Sequence, residues 1–376
     1  MKYPRPAYLA PDVKTTTNRT SFGLIPIIAP IFNAPISARE NFFRAARRDK
    51  PVWVPVSYTD IQSLAINELA DEKPAEGGKP GVQLGPRFTE LPDYDYTFLD
   101  GHGNSWSWVA KVGGAMLTPG TKVLEDICDW EKVLKFAGFN DWNFRETAEK
   151  YMKNTYDPNK VMHINIHQGL TEMLVAFLGG YEEGMVAMAI EPEACSEFFA
   201  AFAQYMIDFF EFLDSLYPID FITYHDDWGT ERDTFFSEKM MEDLVFEPTK
   251  KIIDHIKGKG KVFELHSCGM IERFVPYMCD LGVDFLQFQR RANDVPMLKQ
   301  KYGDRIGFNA PIENMAPGVN YSDDEIIKMV QNTVDLYGKD GGLYPWLHAS
   351  DPEKVWLITS ELYCYSREYY ENKNLL

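Results

Sequence analysis

The clearest pattern in the sequence is an alternation of short apolar runs with longer amphipathic stretches, which begins near residue 161. Short apolar runs are typical of buried strands, and apolar residues three or four positions apart are typical of helices that pack on one face. The segment 195–217 shows this helical spacing most plainly. The predicted strands are VMHINI, FITYHDD, KVFELH, DFLQFQ, RIGFNA and YPWLH, and the helices between them are TEMLVAFLG, 195–217, 240–256 and 271–281.

Before this alternation the chain is less regular. Residues 1–36 are rich in proline and threonine, so we expect an extended arm without regular elements. Ser37 predicts the N-cap of a helix over 38–48, which leads into an apolar strand, VWVPVS. The proline- and glycine-rich stretch 71–93 predicts a mobile loop. After it, SWSWVAKVGGAML predicts a β-hairpin and 125–153 a polar helical stretch.

Strands that alternate with helices predict parallel β/α units. Counting VWVPV and a short run, VQLG, with the six later strands gives eight, which predicts a (β/α)₈ barrel whose reactive groups lie at the strand ends. A doubly wound open sheet is the alternative, but no glycine-rich phosphate loop follows the first strand. We therefore expect an α/β chain with an arm over 1–36 and a (β/α)₈ TIM barrel with a β-hairpin excursion over 37–376. Ser322 and Glu325 predict a capping box for a late helix.

Composition and charge narrow the class of protein. The formal net charge of −18 argues against nucleic acid or an anionic membrane as a partner. The five cysteines are odd in number and irregularly spaced, which favours a reducing compartment over a disulfide framework. Prolines interrupt the N-terminal segment where a signal peptide needs apolar residues, and no apolar run is long enough to span a membrane. We expect a cytoplasmic protein.

Metal-capable side chains gather at the predicted strand ends. His266 and Cys268 end the strand KVFELH two positions apart, so their side chains share one face. Imidazole nitrogen and thiolate sulfur are ligands that Zn²⁺ prefers, although a core cysteine beside a hydrogen-bonded histidine is the alternative. With His348 they make a three-ligand set that leaves one coordination position open. The other strand-end residues are His167, Gln168, His225, Asp226, Asp227, Gln289, Arg290, Arg291, Asn309 and Glu313.

The open coordination position has several candidate occupants: Asp226, Asp227, Glu313 or the substrate. Two adjacent acids either cap a helix or orient a ligand or histidine, because like charges held close need a partner. We expect Asp226 and Asp227 to face the open end of the barrel beside the metal. Arg290 and Arg291 fit a solvated loop pair or an anion site equally well.

The chain resembles the uroporphyrinogen decarboxylase superfamily over nearly its whole length from about residue 38. The segments that carry the resemblance are ENFFRAARRDKPVWVPV, HQGLTEMLVAFLGG, YHDDWG, VFELHSCG and IGFNAPIEN. The superfamily fold is a (β/α)₈ barrel, and Asp226 stands at the aspartate of its aspartate–tryptophan loop. The decarboxylases carry an arginine- and glycine-bearing signature where this chain has SYTDIQSLAINEL, which argues against that branch.

The corrinoid-dependent methyltransferases of the superfamily carry zinc on a His-x-Cys pair and a later cysteine. His266 and Cys268 match the pair, and His348 in WLHASD stands in place of the cysteine. Some ether demethylases have been assigned a Glu-x14-Glu-x20-His pattern instead. The residues with that spacing here are Glu131, Glu146 and His167. We rank this set second, because the stretch that holds both glutamates reads as a solvated helix face.

The resemblance implies the substrate-side methyltransferase (methyltransferase I) of an anaerobic O-demethylase. Such an enzyme moves a methyl group from an aromatic methyl ether to the Co(I) corrinoid (cobalamin) of a separate protein, with zinc as a Lewis acid. We expect Asp226, Asp227, His225 and His167 to be catalytic, with His225 or Asp227 as the proton source. The alternatives are a corrinoid protein:thiol methyltransferase of the same fold, a decarboxylase-like enzyme, and a non-catalytic tetrapyrrole-binding protein. The oligomeric state that we consider is a homodimer.

Overall fold

The computed structural model describes residues 2–19, 26–70, 82–84, 94–111, 114–316, 318–345, 347 and 351–372. Its strands are β1 (Thr15–Arg19), β2 (Pro26–Pro30), β3 (Ile61–Ala65), β4 (Val82–Gln83), β5 (Tyr96–Asp100), β6 (Ser105–Val109), β7 (Gly114–Leu117), β8 (Val161–Ile166), β9 (Phe221–His225), β10 (Val262–Ser267), β11 (Phe285–Phe288) and β12 (Gly307–Asn309). Its α-helices are α1 (Ala38–Arg47), α2 (Ser57–Asp60), α3 (Trp130–Val133), α4 (Phe144–Asn154), α5 (Leu170–Leu178), α6 (Tyr181–Ile190), α7 (Pro192–Asp214), α8 (Glu238–Met240), α9 (Phe246–Gly258), α10 (Val275–Leu281), α11 (Val295–Tyr302), α12 (Asp323–Tyr337) and α13 (Pro352–Asn372).

The main sheet is parallel and has six strands, β3 and β8 to β12, which follow one another in chain order. β8 pairs in parallel with β9, β9 pairs in parallel with β10, and β11 pairs in parallel with β12. Helices connect these strands, so the chain is an α/β protein, as the alternation predicts. Leu343, the residue just before the last predicted strand YPWLH, forms one parallel bridge with Phe308. This sheet fits a (β/α)₈ barrel, whose closure by eight strands stays a prediction.

The prediction that VWVPV forms the first strand is wrong. Residues 52–56 are buried, but side-chain oxygens accept their backbone N–H groups, so these groups are not available for a strand ladder. The acceptors are Asn41 Oδ1 for Val52 at 2.7 Å, Ser366 Oγ for Val54 at 2.9 Å and Asp60 Oδ2 for Val56 at 3.0 Å. The first strand of the main sheet is instead β3, and VQLG contributes β4 to a different sheet.

The predicted hairpin excursion is confirmed as part of a four-stranded sheet, β4 to β7, in which β5, β6 and β7 pair antiparallel. Its aromatic residues Phe98, Trp106 and Trp108 are buried with Ala176 of α5, which attaches the excursion to the helix that follows β8. The centre of the hairpin turn lies outside the described residues. So does most of the predicted mobile loop over 71–93.

The N-terminal arm contains more regular structure than its prolines predict. Strands β1 and β2 form an antiparallel pair with Thr15 opposite Pro30. The two prolines that bound β2 lie at the ends of a two-stranded ribbon, where a strand tolerates a residue without an N–H group. The arm is therefore extended, as expected, but it is paired.

The predicted helix boundaries are confirmed within a few residues for most helices. Ser37 caps α1 by accepting the Glu40 N–H at 3.1 Å, and the capping box of Ser322 and Glu325 starts α12. The polar stretch over 125–153 is not one helix but the short helices α3 and α4. In the described part of the chain no single helix has the length and apolarity to cross a membrane, and the bent pair α5 and α6 meets those criteria only when taken together.

The contacts divide the chain into two compact units. The terminal unit comprises residues 1–62, 157–162 and 283–376, and the central unit comprises 63–156 and 163–282. In the central unit the predicted apolar face of α7 is buried, with Phe198, Phe199 and Phe202 inaccessible to solvent. Phe198 and Phe202 of this face contact the ring of Phe177 in α5.

Candidate metal centre

The site begins at the carboxyl ends of β9 and β10. These strands pair in parallel with His225 opposite His266, so the residues that follow each histidine leave the sheet side by side. The Asp226 N–H donates to the His266 carbonyl at 3.0 Å. The Cys268 N–H donates to Asp227 Oδ1 at 2.8 Å. These two hydrogen bonds hold the loops together and bring Asp227 next to Cys268.

Asp227, His266 and Cys268 form the candidate metal cluster: one ligand atom from each lies within 4.8 Å of the others. His266 Nε2 is 3.4 Å from Cys268 Sγ and 3.7 Å from Asp227 Oδ1. With ordinary zinc–ligand bond lengths, a tetrahedral site separates nitrogen from sulfur by about 3.6 Å and nitrogen from oxygen by about 3.4 Å. The two observed separations differ from these values by about 0.2–0.3 Å, so the three side chains form a candidate zinc site.

Three histidine rings form a stacked column that ends at this cluster. The rings of His167 and His225 have centroids 3.5 Å apart at an interplanar angle of 25°. Those of His225 and His266 are 4.2 Å apart at 32°. The structure therefore brings His167 and His225 next to His266, as the strand-end pattern predicts.

Asp226 is fully buried and binds the N-terminus of α5. Its carboxylate accepts the Thr171 N–H at 3.1 Å, the Glu172 N–H at 3.0 Å and the Thr171 hydroxyl. Helix α5 has no side-chain cap of its own, because Gly169 occupies the N-cap position. Burial raises the pKa of Asp226 from 3.8 to about 6, against the lowering effect of these hydrogen bonds. Of the adjacent acids, Asp227 joins the metal cluster and Asp226 caps a helix.

Glu172 was not predicted from the sequence. It lies in the first turn of α5, and its Oε2 is buried without a hydrogen-bond partner among the described residues. Burial raises the pKa of Glu172 well above its usual value, and the charges of Asp227 and Asp226 raise it further. One feature of the sequence could have identified Glu172. It stands five residues after His167 in HQGLTE, where a helix begins beside a strand end.

The loops that carry the cluster depend on a close contact between two glycines. Gly269 has a φ of +78°, and a Cβ at this position would overlap the backbone of Gly229. The Met270 N–H also donates to the Thr230 carbonyl at 2.6 Å. Gly269 therefore makes the turn that the sequence predicts after Cys268. It also allows the loop after β10 to contact the loop after β9.

The remaining predicted site residues lie elsewhere or outside the described part of the chain. His348 is one of the residues not described, so its ligand role stays a prediction. In the terminal unit, Glu313 is paired with Arg290 and accepts the Tyr337 hydroxyl at 2.6 Å. Glu131 and Glu146, from the second-ranked pattern, are both exposed, as expected for a solvated helix face.

Together these features define an α/β protein with nitrogen, sulfur and oxygen donors at the carboxyl ends of adjacent parallel strands. Residues 172–340 match the model of the uroporphyrinogen decarboxylase (URO-D) family. The matched segment includes all three residues of the metal cluster, and the match supports the superfamily resemblance without separating its branches. No curated protein matches the chain.

Among solved structures, the chain is similar to a methyltransferase from Methanosarcina mazei, with 14% identity and a TM-score of 0.53. The match covers 89% of this chain and 99% of that one, so the likeness shows a shared fold. A B12-independent methionine synthase from Shewanella sp. W3-18-1, solved in complex with selenomethionine, has 11% identity, a TM-score of 0.41, and coverage of 64% of this chain and 70% of that chain. The second likeness is too weak to support an inference.

Proposed function

We propose that this protein is a methyltransferase that moves a methyl group from an aromatic methyl ether to the Co(I) corrinoid of a separate protein. The observation that carries the proposal is the cluster of Asp227, His266 and Cys268, whose separations fit zinc at the end of a parallel sheet. A similarity to a protein named a methyltransferase, over 89% of the chain, supports the same class of reaction. No disulfide joins any of the five cysteines, all of which lie in the described part of the chain, and this fits the cytoplasmic location that we propose.

The difficult part of the reaction is the departure of the oxygen. The C–O bond of the ether breaks with its electron pair on the oxygen, while Co(I) supplies two electrons to the new bond and becomes methyl-Co(III). A zinc ion held by His266, Cys268 and Asp227 would supply Lewis acidity that stabilises the developing negative charge. His348 or the substrate would complete the ligand set.

The phenolate that leaves must gain a proton. The sequence predicts His225 or Asp227 as the source. Asp227 would be deprotonated as a zinc ligand, which leaves His225, and the buried carboxyl group of Glu172 is a further candidate. Its Oε2 is buried, and its raised pKa means that it holds a proton to a higher pH than an ordinary glutamate. The Asp226 carboxylate positions Glu172 by accepting its N–H at 3.0 Å.

The test is to mix zinc-loaded protein, a methoxyarene and a reduced corrinoid protein, and to follow the spectral change from Co(I) to methyl-Co(III). The proposal predicts methylated cobalt and one phenol per methyl group, and no reaction when the corrinoid protein is omitted. An absence of methylated cobalt across a broad panel of ethers would remove the demethylase function. Transfer from methyl-Co(III) to a thiol in the same mixture would favour the thiol methyltransferase instead.

A further inference from the structure

A row of hydrogen-bonded side chains crosses four strands of the main sheet and has no part in the chemistry above. We call it the polar row; its members are Ser63 of β3, His163 of β8, Thr223 of β9 and Glu264 of β10. His163 Nδ1 is 2.8 Å from Ser63 Oγ, and His163 Nε2 is 2.8 Å from Thr223 Oγ1. The Thr223 hydroxyl donates to Glu264 Oε1 at 2.8 Å. The four side chains therefore form one continuous path of hydrogen bonds.

The polar row lies apart from the metal cluster. Thr223 stands two residues before His225 on β9, and Glu264 stands two residues before His266 on β10. Residues two apart on a strand share a face and are separated by about 7 Å. The row is therefore a second group of reactive side chains in the central unit, one layer nearer the amino ends of the strands than the stacked histidines.

The direction of each hydrogen bond follows from the carboxylate at one end of the row. Thr223 has one hydroxyl proton, which it donates to Glu264, so Thr223 Oγ1 must accept from His163 Nε2. A neutral imidazole carries one N–H group, so His163 Nδ1 is left as an acceptor for the Ser63 hydroxyl. Every proton in the row points toward Glu264, and a basic nitrogen faces Ser63.

The surroundings bury the base and leave the hydroxyl group accessible. His163 is 6% exposed and Glu264 is 1% exposed, whereas Ser63 is exposed. The His163 ring packs on Phe221, its neighbour in the register of β8 and β9, with ring centroids 4.3 Å apart. An accessible hydroxyl, a base in hydrogen-bond contact with it and a third group that orients the base are the parts of an activated nucleophile.

We propose that Ser63 is a nucleophile that takes the acyl group of a carboxylic ester, with His163 as its general base. Ser63 Oγ attacks the carbonyl carbon while its proton passes to His163 Nδ1. The ester C–O bond breaks with its electron pair on the leaving oxygen, which takes that proton from His163. Water then attacks the acyl carbon, gives a proton to His163 and releases the carboxylic acid, and the proton returns to Ser63 Oγ. Thr223 and Glu264 are positioning residues that keep the proton of the neutral ring on Nε2.

The first probe is a fluorophosphonate, which reacts with activated serine hydroxyl groups and leaves thiols unmodified. The reaction goes through Ser63 and His163, so zinc-loaded and zinc-depleted protein should each take up one phosphonyl group. Peptide mass spectrometry should locate this group on Ser63, and Ser63→Ala should abolish the labelling. Ser215→Ala is the matched control, because Ser215 is also exposed but donates to the Phe212 carbonyl at 2.6 Å instead of to a histidine.

Substitutions of Thr223 test its positioning role. Thr223→Val keeps the shape of the side chain and removes the acceptor of His163 Nε2, so the ring can carry its proton on Nδ1 and no longer serves as a base for Ser63. The rate of labelling should fall about a hundredfold. Thr223→Ser keeps the hydroxyl group and should label at close to the wild-type rate. With p-nitrophenyl acetate as the ester, the wild type should become acetylated on Ser63.

Equal labelling of the wild type and Ser63→Ala, or labelling at a different serine, would overturn the inference. So would equal rates in Thr223→Val and Thr223→Ser, or an absence of acetyl groups on Ser63. If Thr223→Val does not fold, labelling of Ser63 but not of Ser215 in the wild type still tests the proposal. Labelled Ser63 without methyl transfer to a corrinoid protein would keep this inference and remove the proposed function, and methyl transfer without labelling would do the reverse.

Discussion

Replacement of Asp226 by alanine should destabilise the protein, because three buried donors at the start of α5 lose their acceptor. At about 2 kcal/mol for each unsatisfied donor, the loss is about 6 kcal/mol. The carboxylate is itself costly to bury: its pKa is raised from 3.8 to about 6, which at pH 7 corresponds to about 3 kcal/mol. Removing that cost offsets half of the loss. The expected net decrease in the free energy of unfolding is about 3 kcal/mol.

The assay is urea unfolding of metal-free protein at pH 7, followed by circular dichroism. Asp227→Ala is the matched control, because the Asp227 side chain is 29% exposed and accepts one backbone N–H, so its loss should cost about 1 kcal/mol. Asp226→Asn keeps an acceptor and should lie between the two. If Asp226→Ala is as stable as the wild type, or less affected than Asp227→Ala, the assignment of Asp226 as the cap of α5 is wrong.

Three further substitutions test other parts of the account. Burial and, next, the charge of Arg48 lower the pKa of Lys299 from 10.5 to about 8. Lys299→Met should therefore raise the free energy of unfolding by about 3 kcal/mol at pH 7. This gain should shrink between pH 8 and pH 10.5, since the folded wild type loses the lysine charge first. Arg5→Ala leaves the fully buried Glu361 without its cation and should cost about 3–5 kcal/mol in urea unfolding, most of which Arg5→Ala with Glu361→Gln should recover. Gly269→Ala should lower zinc affinity about tenfold in a chelator competition, because it separates the two loops of the cluster.

Much of the candidate site could be predicted from the sequence, because its residues follow strands with clear apolar patterns. His266 lies at the end of β10, Cys268 directly follows that strand, and Asp227 stands two residues after β9. Parallel neighbours end at the same edge of a sheet. The stacking of His167 on His225 follows from the same placement. The separate roles of Asp226 and Asp227 could not be predicted, because the helix that Asp226 caps begins far away in the chain.

The errors in the predicted fold have a physical cause that cannot be seen in the apolar pattern of the sequence. Residues 52–56 are as apolar as a strand, but side chains from α1, α2 and α13 accept their N–H groups. The first strand of the main sheet is β3. It is short and partly polar, with Ser63 exposed. Glu172 was missed because it lies in the first turn of α5, and no local spacing in the sequence encodes the burial of its carboxyl group.

The metal content of the purified protein tests the central claim most directly. Wild-type protein and Cys268→Ser are dialysed in parallel against a weak chelator, and zinc per chain is measured by inductively coupled plasma mass spectrometry. The account predicts one zinc per wild-type chain, and a loss of most of it in Cys268→Ser, because removal of one protein ligand weakens a site of few ligands steeply. Full zinc occupancy in Cys268→Ser, or a wild-type chain that binds no zinc under any loading condition, would contradict the account.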